Sequence, residues 1–288
     1  MPSMKAIKRR ISSVKNTQQI MKAMNLVAAS KVQKNKSRLE GITPLFNEAK
    51  EFMAYGVCHQ GITENVYYEA RDVKSTAYVV LSGERGLCGS YNANILKEAT
   101  THMVDNNKNE RIITLGSTCK EYFVRRKKNI VNSHVGVLEN VTYGVAAEVV
   151  EQLIDLYTTS DLEHRVDEIY VAYTQFETLL SHTPKVVKLL PFEPPMANSQ
   201  AKNQKECIYE PDVHTYLKKS VPIYMTMFLY GAMIESAVCE QASRMTSMDA
   251  AARNASDIVD DLTLQFNRQR QGAITQEISE IVGGANAI

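Results

Sequence analysis

Long hydrophobic runs are missing from this chain: the longest, VPIYMTMFLYGAMI from Val221 to Ile234, covers 14 residues, whereas a helical membrane span needs about 20. No transmembrane helix is expected. Charge of one sign is also lacking. With 33 basic residues against 32 acidic ones the formal net charge is +1, which gives no global reason to seek nucleic acid or an anionic membrane surface. Cysteine is sparse and unpatterned: Cys58, Cys88, Cys119, Cys207 and Cys239 form no CxxC pair and no metal-ligand spacing, so free thiols are expected. The histidines His59, His102, His134, His164, His182 and His214 never stand three or four apart, which excludes an HExxH-like zinc helix. No repeat with a period of about 20 to 50 residues is visible, which argues against a solenoid or propeller. The opening MPSMKAIKRR lacks the apolar stretch of a secretory signal, so the chain is expected to stay in the cytoplasm.

What is present is apolar content in abundance and in period. At 44% apolar over 288 residues, the chain has enough to build one large domain or two ordinary ones. From Ser3 to about Met53, Ile7, Ile11, Val14, Met21, Ala28, Val32 and Leu39 lie three, four or seven apart, as one face of a long helix requires. Gly41 and Pro44 are the only interruptions, and the proline predicts a kink or weak point.

The period changes between about Ser75 and Phe192. The runs 76–82, 111–116, 130–135, 167–176 and 184–192 are rich in Val, Ile and Tyr and are predicted strands. Helical stretches at 92–107, 117–128 and 141–159 separate most of them. Such alternation indicates a mainly parallel sheet covered on both faces, with the last two strands forming a hairpin. The polar, proline-bearing stretch 193–205 is a predicted loop. The expected organisation is an N-terminal helix within residues 1–58, a small α/β, Rossmann-like domain at 75–205, and a second long helix within 208–288.

That second helix repeats in sevens. One seam position carries Ile234, Gln241, Met248, Ala255, Leu262 and Gln269, and the other carries Val238, Met245, Ala252, Val259, Phe266 and Ala273. A repeat sustained this far is a coiled-coil seam, with Pro222, Gly231 and Gly272 as possible weak points. Seventy helical residues extend roughly 100 Å, so part of the helix is expected to project and to need a partner. Charge selects the partner. Residues 1–40 hold ten Lys/Arg and one acid, a net +9, while residues 235–288 hold four arginines and eight acids, a net −4. An antiparallel pair with the extreme C-terminus overshooting is expected, its alanines and methionines allowing close approach.

Chemistry-bearing motifs are scarce. LSGERGLCGSYN (81–92) follows a strand and opens a helix, but Gly83 and Gly89 enclose five residues and Ser90 follows, so neither a P-loop nor GxGxxG is formed. Cys88 is expected to be a packing residue. Two alternatives carry less support: an oxidoreductase-like nucleotide enzyme with helical extensions lacks its phosphate fingerprint, and a nucleic-acid-binding or scaffolding coiled coil lacks a net basic domain.

Five blocks stand out: IKRRISSVKNTQQIMKAMNLVAASK (7–31), RGLCGSYNANI (85–95), YEPD (209–212), SRMTSMDAAARNA (243–255) and ITQEISEIVGGANA (274–287), the last with Thr275, Glu277, Glu280, Gly284 and Ala285. In sequence and spacing they resemble the gamma subunit of the F-type ATP synthase, the central rotor shaft, in its bacterial form. Glu84 stands where relatives often have aspartate, and Asn25 where many carry a charge. The resemblance implies an antiparallel coiled coil plus a small α/β domain, without catalytic, cofactor or metal sites of its own. Mg-nucleotide would be bound by the partner alpha and beta subunits. It also implies beta-subunit contacts at Arg270, Gln271, Thr275, Arg244, Met24 and Lys22, and epsilon-subunit and c-ring contacts at Tyr209 and Glu210. Such a chain would be peripheral on the cytoplasmic face of the bacterial plasma membrane, touching the membrane through the c-ring alone and no nucleic acid. The inserted loop with a regulatory cysteine pair found in the chloroplast form has no counterpart between residues 190 and 240.

Overall fold

In chain order, one long helix precedes and another follows the five strands of a single sheet. The computed structural model describes residues 3–56, 65–69, 71–106, 108–161, 163–192 and 212–285. The elements are α1 (Met4–Gly56), β1 (Ser75–Leu81), α2 (Tyr91–Asn106), β2 (Asn109–Leu115), α3 (Ser117–Arg125), β3 (Ile130–His134), α4 (Tyr143–Thr158), β4 (Glu168–Phe176), β5 (His182–Leu190) and α5 (Val213–Ala285). Each strand and short helix falls within a few residues of its predicted place. The predicted loop at 193–205 lies outside the described residues.

The strand order is β3-β2-β1-β4-β5. β1 pairs in parallel with β2 and β4, β2 with β3 likewise, and β4 with β5 in antiparallel. All seven residues of central β1 are buried, which explains its unbroken apolar reading, since a parallel sheet covered on both faces shows no exposed alternate positions. The side chains still alternate. Val79 and Leu81 join one core with Val149 and Leu153 of α4 and with Leu217, Val221, Met225, Leu229 and Met233 of α5. Tyr78 and Val80 join the other with Ile95 of α2 and Phe123 of α3, as the period of two along a strand dictates.

The apolar run 221–234 is thereby accounted for. α5 contains an 18-residue window of mean hydropathy 1.3, enough by length and composition for a membrane span, yet Val221, Met225, Leu229 and Met233 are fully buried in the protein core. Gly41, Pro44, Pro222, Gly231 and Gly272 do not end either helix. Three cysteines, Cys88, Cys119 and Cys239, are buried and unbridged. Burial pushes the Cys119 thiol up to about 11, which disfavours the thiolate that oxidation and metal binding require. Cys58 and Cys207 lie outside the described residues.

The chain divides into two compact units, Met1–Ala29 with Arg244–Ile288, and Ser30–Ser243. In the first, the most protected positions on α1 are Ile7, Ile11, Val14, Gln18, Met21, Asn25 and Ala28, spaced alternately by four and three. On α5 they include Met245, Met248, Ala252, Ala255, Val259, Leu262, Phe266, Gln269 and Ala273. This is the heptad seam expected from sequence. Its direction is read from two amides: Gln18 Nε2 donates to Ala252 O at 3.2 Å, and Asn25 Nδ2 donates to Met245 O at 2.9 Å. One heptad forward on α1 is one heptad back on α5, so the helices are antiparallel.

Candidate functional site

The helical unit owes its surface to a mismatch in length. Carried along the register set by Gln18 and Asn25, α1 reaches its start at Met4 close to the level of Phe266, while α5 runs on to Ala285. Beyond Ala273 every residue whose burial is described is exposed. Ile274 (47% exposed), Ile278 (56%), Ile281 (71%) and Val282 (53%) continue the apolar spacing without a partner from α1. The overshoot predicted from sequence is present, and an apolar stripe left in water at helical spacing marks a protein interface.

Arg270, Gln271 and Thr275 sit at the root of this overshoot, all exposed. Thr275 Oγ1 donates to Gln271 O at 2.9 Å, and Ser279 Oγ donates to Thr275 O at 2.8 Å. Those hydroxyls satisfy their own helix and leave the apolar stripe to face outward. Lys22 is exposed and Met24 is half-buried. Lys22 lines a groove with Gln18, Asn25, Leu26, Ala252 and the Asp249–Arg253 ion pair. Arg244, by contrast, is only 8% exposed, which leaves little of it available to another chain. Tyr209 and Glu210 lie outside the described residues.

Residues that the sequence did not single out complete this surface. On α1, Ile20 is 60% exposed, Leu26 71% and Val27 58%, and with Ala23 and Met24 they make a second apolar stripe pointing away from the seam. The signal was there, as positions 20, 24 and 27 are helically spaced, but it overlaps the seam stripe and the two blur into one. Gln18 and Asn25 were also missed. Polar residues at seam positions weaken the apolar contact and fix its register, which here they do through backbone carbonyls.

The α/β unit holds the position where a nucleotide would be sought. In open sheets of this strand order, ligands bind beyond the carboxyl ends of the strands where the direction of winding reverses, here between β1 and β4. That crevice is filled by α5. The β1–β4 ladder stops at Val80 and Ala172. Farther along β4, the Thr174 N–H donates to Ser236 Oγ at 3.4 Å and the Phe176 N–H to Glu235 Oε2 at 3.3 Å. Tyr91 Oη donates to Ser236 O at 3.1 Å, and Ser243 Oγ to Cys88 O at 2.7 Å. A neighbouring anion position, the N-terminus of α3, is also taken from within: Glu84 accepts from the Ser117 N–H at 3.0 Å and from the Gly136 N–H at 2.8 Å. Among the described residues no group of His, Cys, Asp or Glu is arranged to hold a metal ion.

Burial raises the Glu235 carboxyl above its usual 4.5, against the lowering effect of the Phe176 N–H and Lys185. A carboxyl with a raised folded value keeps its proton longer in the native chain, so its contribution to stability is present below the unfolded value and is lost as pH rises through the folded one. Glu235→Gln is expected to melt above the wild type, with a gap that widens as the pH rises from the usual 4.5 through the raised folded value. Thermal denaturation across that range checks this, and a gap that narrows with rising pH is the contrary result.

Known proteins resemble this chain in sequence over its whole length. A family model described as ATP synthase matches residues 3–288. The "ATP synthase gamma chain" of Pelotomaculum thermopropionicum is 39% identical over 288 residues, covering 100% of both chains. That of Acetobacterium woodii, described as sodium ion specific, is 37% identical over 98% of this chain and 97% of its own. Among solved structures, the central stalk and c-ring of the Tetrahymena thermophila mitochondrial ATP synthase contains a similar chain, with a TM-score of 0.61 at 26% identity over 81% of this chain and 99% of that one.

Proposed function

The chain belongs to the ATP synthase gamma-chain family, and on that premise we propose that it is the central rotor shaft of an F-type enzyme, coupling ion-driven rotation of a c-ring to ATP synthesis or hydrolysis on beta subunits. It is a subunit of the complex and not its catalytic one. The observation that carries the mechanical role is the overshooting α5, whose apolar stripe from Ile274 to Val282 is exposed on a helix too long for its partner.

The physics of coupling follows from asymmetry. The two helices present different side chains around their common axis: the stripe of Ile20, Met24 and Val27 on one, the overshoot on the other. A surrounding ring of alternating alpha and beta subunits therefore meets a different surface at each of three positions. Turning the shaft changes which beta subunit gains which contact, and a contact stronger in one conformation than in another shifts that subunit's affinity for nucleotide. Arg270, Gln271 and Thr275 would meet a beta-subunit loop, with Lys22 and Met24 lower on the pair and Arg244 adding an edge contact. Tyr209 and Glu210 would meet the epsilon subunit and the c-ring. Mg-nucleotide would stay with the alpha and beta subunits, and the chain would work on the cytoplasmic face of the membrane.

The test is assembly. The chain is expected to purify with three alpha and three beta chains per copy and to hydrolyse no ATP alone. Hydrolysis by the isolated chain, or its exclusion from the assembled hexamer, would refute the proposal.

A further inference from the structure

We propose that the filled crevice of the α/β unit is a torque key: the groups that close it fix α5 against turning or sliding within that unit. This rests on the rotor function above, in which load taken up by the α/β unit leaves along the continuous helix α5.

Ordinary core packing does not provide such a lock by itself. Hydrophobic contact is non-directional, and between residues 232 and 242 all but Glu235 are buried, so the helix shows no exposed stripe to define its azimuth there. Hydrogen bonds do define it, because their strength falls steeply with misalignment. Glu235 and Ser236 take the two β4 N–H groups that a longer β1 would have paired, bonding Phe176 and Thr174. Tyr91 of α2 holds Ser236 O, and Ser243, two turns on, holds Cys88 O in the loop after β1. One helix is thus pinned to β4, to α2 and to the β1–α2 loop. Shape adds a stop: a Cβ at Gly83 would lie 2.9 Å from Glu240 Cδ, so the loop backbone already sits against a side chain that is 4% exposed. Rotation of α5 by a fraction of a turn would break these bonds and drive Glu240 into the loop. The Rossmann-like crevice has exchanged a ligand for a shaft.

The positioning residues are Glu235, Ser236 and Tyr91. The experiment uses the complete complex in sealed vesicles, measuring ATP hydrolysis and ATP-driven ion uptake on the same preparation. Glu235→Ala with Ser236→Ala is expected to keep hydrolysis within about twofold while ions moved per ATP fall at least about threefold, a coupling loss of ordinary allosteric size. Glu235→Gln, which keeps an oxygen toward the Phe176 N–H, is expected to pump as the wild type does. Phe123→Leu, a change in the opposite core, controls for general loosening and is expected to lower the melting temperature without uncoupling. Uptake per ATP at the wild-type level in the double variant overturns the key, as does equal uncoupling by Phe123→Leu. If the double variant does not assemble, Tyr91→Phe is read by the same ratio and decides. A wild-type complex that hydrolyses ATP but pumps nothing would instead sink the rotor function itself.

Discussion

Deleting α5 from its end back to Arg270 is expected to lower coupling stepwise while the assembled hexamer goes on hydrolysing ATP. The fold predicts tolerance on one side and loss on the other. Every residue after Ala273 whose burial is described is exposed, so truncation as far as Ile274 removes no buried contact and the chain ending at Arg270 gives up in addition only the half-buried Ala273; the melting temperature of the purified protein should move little, as for surface changes worth about 0.5 kcal/mol or less. Ile274, Ile278, Ile281 and Val282 are each capable of contributing about 1.5–3 kcal/mol when fully buried against a partner. Chains ending at Ile281, Ile278, Ile274 and Arg270 therefore lose that contribution in instalments. Ion uptake and hydrolysis measured on complexes carrying each chain would show a graded fall in their ratio. A single abrupt loss of hydrolysis at the first deletion, or full coupling at Arg270, is the result that contradicts this account.

Gly116→Ala is expected to unfold the α/β unit. Gly116 joins β2 to α3 at φ 114°, and a Cβ there would lie 2.2 Å from Ser82 O. The contact is with backbone and has no flexible end to yield. Ser82 is itself fixed, its N–H bonded to Leu115 O at 3.0 Å and its hydroxyl accepting from the Cys119 N–H at 2.8 Å. Left-handed strain and a hard backbone clash at a buried junction put the cost above about 3 kcal/mol. Gly136 offers the internal comparison. It too has positive φ, 82°, but nothing lies within 4 Å of the place a Cβ would take, so Gly136→Ala should cost about 1 kcal/mol from backbone preference alone. Denaturant unfolding of the two purified variants separates them, and similar midpoints would mean that the chain relaxes around Gly116.

How much of this was legible in the sequence differs by element. The seam from Met245 to Ala273 was legible because a repeat of seven survives any surroundings. The hairpin of β4 and β5 and the parallel order before it were legible from alternating periods and loop lengths. The overshoot followed from helix lengths and opposite charges. The burial of Arg244 was not, since a charged residue in a basic and acidic neighbourhood gives no local sign of being covered. The outward stripe of Ile20, Met24 and Val27 was hidden for a different reason: two apolar stripes on one helix merge into a single broad pattern.

By itself the sequence determined the helical pair, the α/β alternation and the family, because each is written in spacing along the chain. Only the tertiary structure decided that Gln18 and Asn25 set the register and that α5, through Glu235, Ser236 and Ser243, occupies the crevice between β1 and β4. Those contacts join positions up to 234 residues apart, and no local period records which distant backbone group an amide, a serine or a glutamate will meet.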